Sequence, residues 1–352
     1  MPETPAAAPG PSRVTSVTGR PVLVTGASGF IGGHLVRRLT ASGCRVSCAV
    51  RATSGVDELR ATGARLVDCD IVDRASVARA IASSNARFVF HVAGLVRAMD
   101  AGDFLRVNAG GVEAVAEACA GLPDPPVLVL VSSLAAVGPS GARPAVESDL
   151  PAPVSQYGRS KLAGERVALT YADALPITVV RPCIVFGAGD RGMVEVFRPI
   201  ARSGLHVVGG SGDRRVSLVA VADLVECLVL AAEQGERLVT GVAGHGIYFA
   251  AADDMSHVEL GMAIARALGR PPPRVLRLPA WSMRTIGRLG DVMSQIRRRP
   301  GWIGRDKVRD VLAGSWTCSS AKARRQFGWL PTTTLADRLR ETAQWYRDVG
   351  WL

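Results

Sequence analysis

Apolar residues between Pro21 and Gly187 fall into short runs separated by stretches of helical period. The runs are Pro21 to Thr25, Arg45 to Val50, Arg65 to Ile71, Arg87 to Gly94, Val127 to Val131 and Ile177 to Gly187. Val127-Leu128-Val129-Leu130-Val131 is apolar at every position, as a strand buried on both faces of a parallel sheet must be. Helical spacing over His34 to Ser42, Ala75 to Ser83, Asp103 to Gly121 and the segment opening at Tyr157 places a helix after most of these strands. Such alternation with short connections predicts an α/β fold on a doubly wound parallel sheet.

Beyond Gly187 the alternation loosens into a smaller C-terminal lobe. Helices are expected over Met193 to Ser203, Asp223 to Glu236, Glu259 to Leu268 and Leu335 to Val349, with a turn at Gly209 to Asp213. Pro271 to Pro273 breaks the chain before Val275 to Pro279. Trp281, Met283, Ile286, Leu289, Val292, Met293 and Ile296 recur at helical spacing opposite Arg284 and Arg288, and run into Arg297 to Arg299. This stripe suits peripheral contact with a membrane through 281–299, or the roof of a pocket; Gly287 and Gly290 weaken a free amphipathic helix and favour the roof. The organisation expected is a disordered tail over 1–19, a sheet domain over 20–190 to which some later segments return, and a lobe over 191–352.

The 352 residues are 48% hydrophobic and 21% charged, enough for a large core. Residues 1–19 hold Pro, Ala, Ser and Thr without the apolar core of a signal peptide. The longest apolar run, Leu218 to Ala232, is interrupted by Asp223 and Glu226, so no membrane span is expected. Seven cysteines sit mostly inside apolar runs without Cys-x-x-Cys spacing, which argues for reduced thiols, a cytoplasmic setting and no metal. The net charge of +11 is concentrated after Gly261, where 18 Arg and Lys face 6 Asp and Glu. No aromatic-interleaved basic motif accompanies it, so nucleic acid is not an expected partner.

The chemistry begins at Gly26-Ala27-Ser28-Gly29-Phe30-Ile31-Gly32, between the first strand and the first helix. Glycines here permit a tight turn, let backbone amides approach a pyrophosphate, and let the helix pack on its strand, as in a Rossmann-type nucleotide site. Gly26, Ser28, Gly29, Phe30 and Ile31 are therefore candidate cofactor contacts. Where NAD-binding chains carry an acid for the ribose 2′-hydroxyl, this chain has Val50 followed by Arg51. An Arg suits a 2′-phosphate, so NADP(H) is expected in preference to NAD(H). Asp70, followed by Ile71, ends a strand where it can accept from an adenine amino group. Val92, Ala93 and Gly94 offer small residues for the dinucleotide to lie against, while His91 reads as a packed core histidine and Asn108 as a tie between neighbouring backbone segments. Val131-Ser132-Ser133 ends the central strand, where open α/β sheets bind ligands. In Tyr157-Gly158-Arg159-Ser160-Lys161 a phenol and an ammonium lie four apart on one helix face. The cation is expected to draw the Tyr157 pKa down toward neutrality, making a proton donor and acceptor.

Together these motifs resemble the extended short-chain dehydrogenase/reductase family, of NAD(P)-dependent epimerase/dehydratase type. The likeness rests on Thr25 to Gly32, Asp70-Ile71, His91 to Gly94, Ser132-Ser133, Tyr157 to Lys161 and Arg181-Pro182, and it weakens after Asp223. It implies Ser133, Tyr157 and Lys161 as the catalytic group, Pro182 and Ile184 behind the nicotinamide, and a homodimer. Sugar-nucleotide epimerases commonly carry Asn where this chain has Ile184, and His where it has Ala220. The Arg-Pro-x-x-Val-Phe-Gly form is closer to the dihydroflavonol-reductase and 3β-hydroxysteroid-dehydrogenase branches, which act on apolar carbonyls and alcohols. The expected function is hydride transfer between NADP(H) and a small, relatively apolar carbonyl or alcohol substrate. Its pocket is expected to draw on Leu95 to Asp100, Gly138 to Val154, Phe186 to Phe197 and Val275 to Ile296, with Leu95, Arg97, Ser133 and Phe186 as substrate contacts. The competing readings are a nucleotide-sugar epimerase or dehydratase that keeps NAD bound, and a non-catalytic NADP(H) sensor.

Overall fold

The computed structural model describes residues 16–210, 213–301 and 303–352. Residues 1–15 of the expected tail, and Ser211 and Gly212 of the expected turn, lie outside the described residues. The ordered fold begins earlier than Arg20: Val17 is buried in the core, and its amide donates to Glu233 Oε1 at 2.7 Å.

The first half alternates as its pattern predicts. It runs β1 (Pro21–Thr25), α1 (Phe30–Ala41), β2 (Arg45–Val50), α2 (Asp57–Ala61), β3 (Arg65–Asp68), α3 (Arg74–Ser84), β4 (Phe88–His91), α4 (Ala101–Asn108), α5 (Gly110–Ala120) and β5 (Val127–Val131). The helix expected over Asp103 to Gly121 is thus two, broken at Ala109, with Asn108 closing the first rather than opening a single long one. Then come α6 (Gln156–Thr170) and β6 (Ile177–Pro182), followed by β7 (Ile184–Phe186). The single strand expected over Ile177 to Gly187 divides at Cys183, because β6 pairs within the large sheet while β7 pairs with a strand of the second lobe.

The remainder comprises α7 (Val194–Ser203), β8 (Leu205–Gly209), β9 (Arg215–Ala220), α8 (Val221–Gln234), β10 (Ile247–Ala250), β11 (Asp253–Ser256), α9 (His257–Ala267), β12 (Arg274–Leu278), α10 (Ala280–Arg297), α11 (Arg305–Leu312), α12 (Ala321–Phe327) and α13 (Leu335–Asp348). The main sheet has seven strands in the order β10-β6-β5-β4-β1-β2-β3, and each neighbouring pair is parallel. β10 is the later segment that returns to it. One face is packed by α1, α8 and α12 around Leu35, Leu228 and Phe327, the other by α3 and α5 around Ile81 and Val115. Each such side chain contributes about 1.5–3 kcal/mol by leaving water. A third core, around Phe186, Phe197 and Tyr346, belongs to the second lobe with its sheet β11-β9-β7.

Asp223, in the first turn of α8, ties the C-terminus to this frame. It is buried, accepts from Arg338 Nη2 at 3.2 Å and from the Thr332 amide at 3.2 Å, while its carbonyl accepts from Trp329 Nε1 at 2.9 Å. All seven cysteines are free thiols. Among the described residues no helix is long and apolar enough to cross a membrane.

Candidate active site

The strand order reverses between β1 and β4, and ligands of such sheets bind in the crevice at that point. A cleft of about 2380 Å³ opens there, between the ends of the strands and the second lobe. Its floor is the glycine turn. Gly26 holds φ +68°, and a Cβ on it would sit 2.6 Å from the Ala93 nitrogen; a Cβ on Gly32 would sit 2.1 Å from the Gly26 carbonyl oxygen. Only glycine lets β1, β4 and α1 meet this closely. Gly29 caps α1 without a side-chain bond to its first amides and without an acid in the first turn, so the helix end retains donors and positive dipole for a phosphate group.

The expected cofactor residues Ser28, Phe30, Ile31, Arg51, Asp70, Ile71, Val92, Gly94, Val131, Pro182 and Ile184 line this same cleft. Arg51 is exposed at the end of β2. Arg37 of α1, which the sequence reading passed over, lines the cleft as well and pairs with Glu58 at 3.2 Å. The cradle thus fits a dinucleotide: a glycine turn with open helix amides for the pyrophosphate, and cations in the same cleft.

At the other end stand Ser133, Tyr157 and Lys161. Ser133 follows β5 and its Oγ accepts from the Ala135 amide at 3.1 Å, which fixes the start of a short 3₁₀ turn. Tyr157 and Lys161 share one face of α6, whose first amides are capped by Ser155 from its own chain end. A second cap comes from the far lobe, where Asp306 of α11 accepts from the amides of Gln156 at 2.7 Å and Tyr157 at 3.2 Å. Asn108 accepts from the Leu95 amide at 2.7 Å and donates to Leu95 O and to Ser160 Oγ, both at 2.9 Å, pinning α6 beside the end of β4. That is the tie expected of it.

Lys161 is buried, and its Nζ donates to the Val131 carbonyl at 2.7 Å. Burial brings its pKa down to about 8, partly opposed by the Glu165 carboxylate. The Tyr157 phenol moves opposite to expectation. Burial pushes its pKa up and the buried Asp310 carboxyl adds to this, while the hydrogen bond with Ser133 pulls it down. Desolvation outweighs the partners, so the phenol is neutral at neutral pH and holds a proton to give. His91 is packed in the core: burial and then Lys161 hold its pKa down to about 3, and Nδ1 lies 2.8 Å from Thr25 Oγ1.

Three groups went unforeseen. Glu165, four residues beyond Lys161, takes a bidentate ion pair from Arg181, with Nη2 at 2.6 Å and Nε at 2.9 Å, and accepts from Ser132 Oγ. The pair is buried and locks α6 to β5 and β6. An acid one turn past Lys161 was a legible signal for it. Asp306 and Asp310 carried none, because they reach α6 from about 150 residues away in the chain. Asp310 Oδ1 is buried without a hydrogen-bond partner, and burial raises its carboxyl pKa.

The substrate side needs correction. Leu95, Arg97 and Ser133 line the cleft, but Phe186 is fully buried in the core of the second lobe, because β7 turns it inward against Phe197. The loop Gly138 to Val154 packs on 315–318, with Ser140 donating to Ser315 O at 2.8 Å and Ala145 to Thr317 O at 2.9 Å. From the second lobe the cleft is lined by Met193, Val207, Met283, Ile303 and Val311, with the charged Arg305, Lys307 and Asp310 among them. α10 contributes its inner side to that wall; the stripe of Trp281, Leu289, Val292 and Ile296 faces away and is exposed, so it is no pocket roof. Gly287 and Gly290 do not weaken the helix in place, since they let it meet α11: a Cβ on Gly290 would lie 1.9 Å from the Ile303 carbonyl.

Residues 22–243 match the NAD dependent epimerase/dehydratase family. The chain belongs to that family. It is 33% identical to the ceramide reductase of Caulobacter vibrioides over 94% of this chain and 96% of that one. It is 29% identical to sterol demethylase protein B of Methylococcus capsulatus, over 94% and 99%. Among solved structures it is similar to the UDP-glucose 4-epimerase of Thermus thermophilus in complex with NAD, with a TM-score of 0.72, 25% identity, and 93% and 98% of the two chains covered. This epimerase/dehydratase-family protein is an NAD(P)-dependent oxidoreductase of the extended short-chain dehydrogenase/reductase type.

Proposed function

We propose that the protein is an NADP(H)-dependent reductase acting between a carbonyl and a secondary alcohol on an apolar substrate, with Tyr157 handling the proton. The observation that carries the reading is the cluster of Ser133, Tyr157 and the buried Lys161 at one end of a cleft whose other end fits a dinucleotide. The nicotinamide, when bound, supplies or takes up the hydride.

The chain's own residues do the rest. Ser133 and Tyr157 hold the substrate oxygen from one side, and Tyr157 delivers its proton there as charge develops. A phenol whose pKa burial raises is protonated at rest, the form that gives its proton to the substrate oxygen. Lys161, fixed by Val131 O, holds its charge next to Gly94, where a Cβ would lie 3.4 Å from Nζ; that is the place for the ribose hydroxyls. Pro182 and Ile184 back the nicotinamide, Asp70 takes the adenine amino group, and Arg51 with Arg37 takes the 2′-phosphate. NADP(H) is accordingly preferred over NAD(H).

An apolar substrate is supported by Met193, Val207, Met283 and Ile303 among the residues that line the cleft, and by Ile184 at a position where a nucleotide sugar finds Asn in epimerases. The names of two relatives, ceramide reductase and sterol demethylase protein B, point to the same class. The second reading, a nucleotide-sugar epimerase retaining NAD, draws support from the similarity to the UDP-glucose 4-epimerase structure.

One screen separates them. NADPH and NADH oxidation are followed against long-chain ketones, steroid ketones and UDP-glucose, and the nucleotide carried through purification is identified. NADPH-dependent reduction of the apolar ketones is expected. Co-purified NAD with interconversion of UDP-sugars and no net oxidation of NADPH would overturn the reading.

A further inference from the structure

At 3.6 residues per turn, Trp281, Thr285, Leu289, Val292 and Ile296 of α10 fall on one side of the helix. That side is open: Trp281 is 70% exposed, Leu289 63% and Ile296 71%. Buried apolar side chains make a helix stable in a globular protein, so a two-sided helix of this kind has a second surface to cover. The inner side is already engaged. Gly287 meets Val308 and Gly290 meets Ile303, Asp291 is ion-paired with Arg305 at its Oδ2, and Met283 and Ser294 line the cleft.

The charge around the open side selects its partner. Arg284 and Arg288 run along one flank of the stripe and Arg297 along the other. Arg284 and Arg288 also join Arg305 and Arg309 of α11 around a hollow of about 420 Å³. Across 270–309 eleven Arg and Lys stand against two Asp. Both acids point inward, Asp291 to Arg305 and Asp306 to the first amides of α6. Nucleic acid would match the charge but leave Trp281, Leu289 and Ile296 in water. An anionic bilayer matches both, with apolar side chains entering the acyl boundary and arginines remaining at the phosphates.

We propose that α10 lies on an anionic phospholipid surface, Trp281 to Ile296 inward and the arginine hollow on the headgroup phosphates, so that the cleft lined by the opposite side of the same helix receives its substrate from the bilayer. The delivery clause rests on the apolar-substrate reading above; the docking itself does not.

The test pellets the purified full chain with vesicles of phosphatidylcholine alone and of phosphatidylcholine with phosphatidylglycerol, and separately assays reduction of a water-soluble ketone with NADPH. Binding to the anionic vesicles is expected at least about tenfold stronger than to the neutral ones, weakening as salt rises. Trp281→Asp with Ile296→Asp, and Arg284→Glu with Arg288→Glu, each lower it by about tenfold or more, while thermal midpoint and soluble-ketone turnover stay at the parent's values. Three results overturn the docking: equal pelleting with both vesicle types, loss in the arginine variant alone, or no pelleting with a stripe variant that turns a dimer into a monomer, which would make the stripe a subunit contact. Docking without ketone reduction would sink the reductase reading and leave the surface standing; reduction without docking would do the reverse.

Discussion

The two halves of the cleft are built on opposite principles. On the nucleotide side, the determining contacts are backbone: Gly26 against Ala93, Gly32 against Gly26, and the first amides of α1 with no side-chain cap. On the substrate side, the wall is a patchwork of side chains from β8, α10 and α11, held by contacts between segments far apart in the chain. A site made of backbone tolerates little change and looks alike in many proteins. A site made of loosely related side chains can be refitted to a new substrate without disturbing the sheet. One link between the halves bears directly on the chemistry: Asp306 caps the helix that carries Tyr157 and Lys161.

The comparison is broken most sharply at Tyr157. Tyr157→Phe is expected to lower kcat by about 10²–10⁴-fold while NADPH affinity, read by fluorescence titration, stays within a few-fold, because a proton donor is lost and the backbone cradle is untouched. Equal losses in both would mean that the nucleotide and chemical halves are not separable.

Asp223→Ala removes the buried acceptor shared by Arg338 and the Thr332 amide and leaves Arg338, among the described residues, with Glu341 as its one remaining acidic partner. A loss of about 1–3 kcal/mol in chemical unfolding is expected from the buried donors left without their acceptor. A change below about 1 kcal/mol would show that α13 is held by its apolar side without this clamp.

The pH profile tests Lys161. Burial disfavours its ammonium, so the proton leaves as pH rises through about 8 rather than near the ordinary lysine value, and the cation is present below that point. The kcat/KM for NADPH, which reports the free enzyme, is therefore expected to fall on the alkaline side of about pH 8. A profile flat to pH 10 would remove Lys161 from nucleotide binding.

Smaller effects probe each half separately. Arg51→Ser is expected to shift the ratio of NADPH to NADH efficiency by about tenfold toward NADH, as one charge-assisted phosphate contact commands. Asp306→Ala should cost about 0.5–2 kcal/mol of thermal stability, the usual worth of a helix cap, with a matching modest fall in kcat. No fall in kcat would show that the substrate lobe does not position Tyr157.

Much of the first half was legible because strand period, glycine turns and the face shared by residues four apart are local rules. Val127 to Val131 reads as a central strand from five residues, and Tyr157 with Lys161 reads as one helix face without any partner in view. Glu165 followed the same rule and stood within reach of it. Phe186 shows where local rules stop: a strand pattern continues through Cys183, but β6 and β7 join different sheets, and the choice lies with β9, more than thirty residues on. The Tyr157 proton shows it again, since spacing to Lys161 argued for a lowered pKa and burial under the second lobe reversed the sign.

By itself the sequence determined the glycine turn of the nucleotide half, the alternation of its strands and helices, and the proposed trio of Ser133, Tyr157 and Lys161, since each is read from residues close together in the chain and from conformations that few residue types adopt. It also carried the stripe of α10, but not which way that stripe faces. Only the tertiary structure decided that, along with the capping of α6 by Asp306 and the composition of the substrate wall, because these follow from where distant segments meet and how much water they exclude.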